Sequence, residues 1–249
     1  MFLTVFDIFN FIELIFSCVT PQDVGLVLFC GGGTPVKPRR LTNLERSQFE
    51  LPENLKEILV GLLLGDLFIQ SQSKSGNVRL FFEQGIIHKD YLYHLFDLFK
   101  SYCSTEPKGY TRAPDKRTGN SYSRLSFKTY SLPCFKELHT KFYLEKVKVI
   151  PLDIVNLLTP LSLAYWICDD GNWVNGGVHL HTNSYTLEEV NLLVKILNEK
   201  FNFKCTVYVV DKNTGARIIR INAESVPQLQ ALIGPIMPSM MRHKIFGKS

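Results

Sequence analysis

The sequence predicts an α+β fold built from two related halves. Segments of helical and strand periodicity are interleaved with hairpins instead of alternating strictly. A similar series of elements reads twice along the chain, and each series opens on an apolar helix that ends in aspartate. With 45% hydrophobic and 20% charged residues over 249 positions, the chain is globular, of one large or two small domains, which excludes a disordered, collagenous or disulfide-stapled protein.

The first 19 residues, MFLTVFDIFNFIELIFSCV, are strongly apolar. They lack the cation of an export signal, and Asp7 and Glu13 interrupt any membrane-spanning helix. They are expected to form an extension outside the folded unit, with a membrane anchor as the alternative. Residues 20–54 contain three consecutive glycines and four prolines without a sustained apolar period, so they read as a linker and the compact part should begin near Leu55.

The first half, 55–150, then reads as a helix at 55–66, a strand at 77–84, an amphipathic helix at 88–102, a polar hairpin across 107–130 and a helix at 132–143. The second half, 151–249, reads as a helix at 161–170, a strand at 177–184, a helix at 186–201, strands at 204–211 and 216–222, and a helix near 224–234. Six cysteines at 18, 30, 103, 134, 168 and 205 form no CxxC pair and have no histidine at zinc-ligand spacing, so they read as reduced, mostly buried intracellular thiols.

Separating strand faces by their period of two exposes a second pattern. Tyr122, Arg124, Ser126, Lys128 and Tyr130 share one face, opposite Leu125 and Phe127. The partner strand offers Lys108, Tyr110 and Arg112, and the turn between adds Lys116 and Arg117. In the second half Lys204, Thr206 and Tyr208 oppose Cys205, Val207 and Val209; Arg220 and Asn222 oppose Arg217, Ile219 and Ile221; and His179, His181 and Asn183 oppose Val178, Leu180 and Thr182. A solvated sheet face is polar by default, but one this rich in Arg, Lys, Tyr, His and Asn with few acids suits phosphates and base edges. Arg79, on the strand at 77–84, joins this set. Charge points the same way: all 28 basic residues lie beyond residue 36, against 20 of the 23 acids, a net of +8 that favours a polyanionic partner.

The two apolar helices are the most informative feature. LVGLLLGD finishes at Asp66 and LAYWICDDG reaches Asp170. A carboxylate at a helix C-terminus meets the negative end of the macrodipole, so a positive group should sit nearby. Gly61 and Gly65, four apart, leave one helix face nearly bare, and two helix-interior glycines at about 1 kcal/mol each call for close packing against another backbone. Ala164 and Cys168 have the same spacing in the second helix. Either helix alone reads first as an ordinary core helix with a solvated acid; the duplicated pair reverses that preference toward two converging carboxylates, an oxygen-rich site suited to Mg²⁺ and phosphodiester cleavage. Aspartic-protease chemistry would need small-hydroxyl-glycine turns that are missing here, and the basic sheet faces disfavour a glycosidase pair.

LVGLLLGDL (59–67) and LAYWICDDG (163–171) resemble the two signature helices of the LAGLIDADG homing endonucleases, in the monomeric two-motif form encoded within organellar introns. The resemblance runs from Leu55 to Lys244 and includes LTPLSLAYWICDDG, TNSYTLEEVNLLVKIL and PSMMRHKI. It implies two halves related by a pseudo-twofold axis, each with a curved antiparallel DNA-binding sheet, packed through the motif helices. It also implies that Asp66 and Asp170 bind divalent metal, helped by the carbonyls of Gly65 and Asp169, and that Lys148 and Lys244 are basic residues near the cleaved phosphates. Lys146 competes with Lys148 for that role. The chain departs from the name-giving pattern at Leu64, Leu67 and Tyr165, none of them a metal-binding acid, while Asp169 replaces a small residue and implies functionally unequal halves. Gln84 is a candidate for positioning water.

The resulting expectation is a monomeric, site-specific, Mg²⁺-dependent endonuclease of double-stranded DNA, with Mn²⁺ as a substitute metal, no small-molecule cofactor and an organellar, mitochondrial-matrix location. The alternative on the same scaffold is an intron maturase that binds host intron RNA.

Overall fold

The structure, a computed structural model, describes residues 40–71, 76–111, 113–114, 119–211 and 215–247. In the first half these form α1 (Asn43–Ser47), α2 (Glu53–Leu64), β1 (Phe68–Ser71), β2 (Val78–Gly85), α3 (Lys89–Phe99), β3 (Lys108–Thr111), β4 (Ser123–Lys128), α4 (Lys136–Phe142), β5 (Tyr143–Leu144) and β6 (Val147–Lys148). The second half contains α5 (Ile154–Leu157), α6 (Pro160–Asp170), β7 (Gly171–Val174), β8 (Gly177–His181), α7 (Leu187–Phe201), β9 (Cys205–Asp211), β10 (Ala216–Ile221), α8 (Val226–Ile233) and α9 (His243–Phe246).

Each half carries a four-stranded antiparallel sheet with the same topology, β1-β2-β4-β3 in the first and β7-β8-β10-β9 in the second. The α+β class and the duplication are therefore as expected. Four short strands were not legible: β1 and β7 have four residues each and β5 and β6 two each, too few for a period to show.

The two motif helices, α2 and α6, pack against each other in the core. Leu59 and Leu63 of α2, and Leu163, Ala164, Trp166 and Ile167 of α6, are fully buried. The glycine-dependent approach is present: a Cβ built on Gly61 would lie 2.1 Å from the Ser162 carbonyl oxygen and 3.0 Å from the Trp166 nitrogen. α6 is started by a reciprocal cap, in which Ser162 N donates to Thr159 Oγ1 at 3.2 Å and Thr159 N donates to Ser162 Oγ at 2.6 Å, with Pro160 in the first turn.

The expected linker is corrected over residues 40–54. Thr42 and Glu45 cap α1, Leu41, Phe49 and Leu51 pack on the core, Arg46 donates to the Ser131 carbonyl at 2.5 Å, and Tyr102 Oη donates to the Glu50 carbonyl at 2.6 Å. The proline and glycine content of the whole 35-residue stretch concealed three apolar anchors at its end. The apolar segment before residue 37 lies outside the described residues, and among the described residues no helix is long and apolar enough to cross a membrane. Cys103, Cys134, Cys168 and Cys205 are free thiols, the last two buried, while Cys18 and Cys30 lie outside the described residues.

Candidate active site and open sheet faces

The motif helices end differently. α6 runs through Asp170, whereas α2 stops at Leu64, so Asp66 lies two residues beyond its helix rather than in the last turn. Leu67 N donates to the Leu62 carbonyl at 3.0 Å, which closes the turn that presents Asp66 to solvent.

The positive groups demanded by these helix ends are Lys148 and Lys244. Lys148, on β6, donates to the Gly65 carbonyl at 2.5 Å; Lys244, on α9, donates to the Cys168 carbonyl and, at 2.9 Å, to the Asp169 carbonyl. Each ammonium thus sits on terminal carbonyls of one motif helix, where the macrodipole is negative. Its competitor Lys146 is in the β5–β6 turn and lines a separate surface pocket with Phe68, His139 and Tyr143.

The acids form one electrostatic cluster. Burial, followed by the charge of Asp66, pushes Asp169 up to about 7; burial, followed by the charges of Asp66 and Asp169, pushes Asp170 up to about 8. Burial lowers Lys148 to about 8 against the pull of Asp170, Asp169 and Asp66, and burial lowers Lys244 as well. Gln84 borders a small space with Leu62, Asp66 and Asp169, which places it beside the cluster.

These shifts have a measurable consequence in metal-free buffer. Asp170 titrates near 8 when folded and near 3.8 when unfolded, so its favourable contribution is complete below the lower value and is lost as pH rises through the upper one. Asn does not titrate, so Asp170→Asn should gain urea stability relative to the wild type between pH 5 and pH 8. A stability difference independent of pH across that interval would contradict the burial of this charge.

The open face of the first sheet brings together Gln70, Arg79, Phe81, Glu83, Arg124, Ser126, Lys128, Lys108 and Tyr110, while Leu80, Phe82, Leu125 and Phe127 are buried on the other side. The one acid among these residues is Glu83, which pairs with Arg124 at 2.7 Å and accepts from Tyr110 Oη. Arg79 donates to Gln70 Oε1 at 2.8 and 3.0 Å, and Lys128 lies 4.9 Å over the Phe81 ring. Tyr122 is exposed just before β4; Arg112, Lys116 and Arg117 lie outside the described residues.

On the second sheet, registers align His179 with Arg220, Arg220 with Thr206, and Ile218 with both His181 and Tyr208. Arg217 falls on the opposite face with the buried Ile219 and Ile221, as expected. Asn172, aligned with His179 and exposed, belongs to this face and was missed because β7 was missed. Three expected members sit at its margins: Asn183 follows β8, Asn222 follows β10, and Lys204 precedes β9 with its ammonium 2.6 Å from Glu224. The Arg220 Nε is buried without a hydrogen-bond partner among the described residues.

Two site tyrosines left no trace in the sequence, because an aromatic residue near an amphipathic helix reads as core. Tyr91 Oη, from the first half, donates to Asp169 Oδ1 at 3.0 Å; Tyr185 Oη, from the second, donates to the Leu64 carbonyl at 3.0 Å. Each half therefore reaches across to the end of the other half's motif helix.

The model of the LAGLIDADG DNA endonuclease family matches residues 56–229. The chain belongs to this family. It is 34% identical over 201 residues to cytochrome b mRNA maturase bI2 of Debaryomyces hansenii, covering 78% of this chain and 74% of the relative. Against the maturase bI2 of Saccharomyces cerevisiae it is 31% identical, covering 77% of this chain but 47% of that longer protein. Among solved structures, the homing endonuclease I-WcaI bound to its DNA recognition sequence is similar with 30% identity and a TM-score of 0.74, over 81% of this chain and 89% of that one. Within the LAGLIDADG pattern, the departure at Tyr165 has a structural place: its hydroxyl meets His94 Nε2 at 2.8 Å, joining α6 of the second half to α3 of the first.

Proposed function

We propose that this LAGLIDADG protein is a site-specific, divalent-metal-dependent endonuclease that hydrolyses one phosphodiester on each strand of double-stranded DNA. The observation that carries the reading is the clustering of Asp66 and Asp170 at the ends of packed helices, with a lysine ammonium on each helix end. The donor set fits Mg²⁺, with Mn²⁺ as a substitute. Among the described residues no group of three or more His, Cys, Asp and Glu side chains closes a metal shell, and Mg²⁺ typically takes one or two carboxylates and completes its shell with water and phosphate oxygens. Asp66 and Asp170 would hold the metal, with the Gly65 and Asp169 carbonyls as further oxygens. Bound there, Mg²⁺ would activate water and stabilise the leaving oxygen. Lys148 and Lys244 balance carboxylate charge next to the scissile phosphates, and Gln84 orients water.

The two open faces differ in composition, so the site they recognise is long and asymmetric, and one chain carries both halves as a monomer. Arg220→Ala should weaken DNA binding, relaxing base preference if the guanidinium reads a base, or reducing the salt slope by about 1 if it reads a phosphate. Arg217→Ala, on the covered side of the same strand, is the comparison; equal losses in both would invalidate the face assignment. Similarity to two cytochrome b mRNA maturases supports a second activity on host intron RNA and a mitochondrial-matrix location. Splicing of the host intron by the Asp66→Asn/Asp170→Asn double variant would separate that activity from cleavage.

The direct test is cleavage selection from a randomised DNA library with Mg²⁺. A single enriched asymmetric sequence, cut on both strands, is the expected result; recovery of no cleaved sequence in Mg²⁺ or Mn²⁺ overturns the reading.

A further inference from the structure

The two motif acids are held by unlike means. Asp170 is the last residue of α6, whereas Asp66 lies beyond the end of α2 and its backbone N–H donates to Asp169 Oδ2 at 3.2 Å, across the boundary between halves. The other oxygen of that carboxylate accepts from Tyr91 Oη at 3.0 Å, so the side chain is tied on both sides to the first half. Gly65 is shaped to receive it: a Cβ there would lie 2.5 Å from Asp169 Cβ and 2.8 Å from Asp169 Oδ2. Gly65 is also the position equivalent to Asp169 in the first motif, and having no side chain it returns no such bond to Asp170.

We propose that Asp169 is a positioning residue that fixes the turn bearing Asp66 from the opposite half, so that its loss unbalances cleavage of the two strands. The inference rests on the endonuclease reading above. Asp169 acts through the backbone of Asp66, and its side chain is committed to Asp66 N and Tyr91 Oη. The acceptor oxygen is what the role requires. Asn at this position keeps one carbonyl oxygen for the Asp66 amide and removes the charge, whereas Ala removes both.

The experiment uses the full chain and the duplex recovered by library selection, with a different fluorophore on each strand, in single-turnover reactions with Mg²⁺. Asp169→Ala should slow one strand at least about tenfold more than the other and accumulate nicked duplex, since a displacement near 1 Å costs about a hundredfold in rate. Asp169→Asn should keep the ratio of strand rates within about threefold of the wild type, and Tyr91→Phe should shift it in the direction of Asp169→Ala by a smaller factor. Equal slowing of both strands by Asp169→Ala, or an Asn variant as unbalanced as the Ala variant, overturns the proposal. If Asp169→Ala does not fold, the ratio in Tyr91→Phe decides, an unchanged ratio counting against it.

Amide hydrogen exchange at Asp66 in the metal-free protein keeps this proposal separable from the endonuclease reading. If the wild type cuts no DNA, that reading fails. Exchange protection at Asp66 that is lost in Asp169→Ala and retained in Asp169→Asn still supports the positioning role, and protection unaffected by either substitution removes it.

Discussion

Asp66→Asn and Asp170→Asn should each abolish double-strand cleavage in Mg²⁺ while leaving specific DNA binding in Ca²⁺ intact. Asn keeps the shape of the side chain and removes the charge that holds a hard cation. A metal stabilising the transition state by several kcal/mol corresponds to roughly a thousandfold or more in rate. Neither variant should fail for want of folding: Asp66 is exposed on its turn, and Asp170 is a half-buried acid raised to about 8 by desolvation and by neighbouring carboxylates, so neutralising it relieves repulsion. Gel-shift affinity in Ca²⁺ and single-turnover cleavage in Mg²⁺ separate the two effects. Cleavage by either variant near the wild-type rate would remove that acid from the mechanism.

These two acids were legible because helical period, glycine spacing and a terminal acid recur in both halves, so a pattern ambiguous in one copy gains meaning in two. Inward-facing strand residues were legible for a similar reason: Leu125 and Phe127, or Ile219 and Ile221, obey the pleat and are buried. The cross-half contacts were not legible. Tyr91, Tyr185 and His94 earn their places through how α3 and the turn before α7 sit against the motif helices, and no periodicity encodes where one half meets the other. The outward pattern left the pairing of Arg124 unseen, because alternation tells which side a residue faces but not whether its charge is already matched, here by Glu83. To contact DNA, Arg124 would therefore have to share or leave its carboxylate partner, while Arg220, whose Nε is unpartnered among the described residues, would not carry that cost at this atom.

Gly61→Leu should destabilise the protein strongly and eliminate cleavage, although leucine is the better helix former by nearly 1 kcal/mol. On an isolated exposed helix the propensity gain would raise stability. Here even the first added carbon would sit 2.1 Å from the Ser162 carbonyl oxygen, and this obstacle is backbone rather than a side chain that can rotate away. The helices must separate, at an overpacking cost of about 1 to 3 kcal/mol or more. At about 2 to 4 °C per kcal/mol for a protein of this size, a net loss of about 2 kcal/mol lowers the melting temperature by about 4 to 8 °C. Gly65→Leu meets Asp169 instead and should disturb the site more directly. Gly109→Ala, whose new carbon would have only ordinary contact with Leu125 at 3.5 Å, provides the tolerant comparison within the same chain. Parting α2 from α6 also moves Asp66 away from Asp170, and an error near 1 Å in such geometry costs about a hundredfold in rate. A Gly61→Leu protein that melts at or above the wild-type temperature and cuts DNA normally would mean that the two motif helices do not depend on glycine for their contact, and that the acids are not brought together by it.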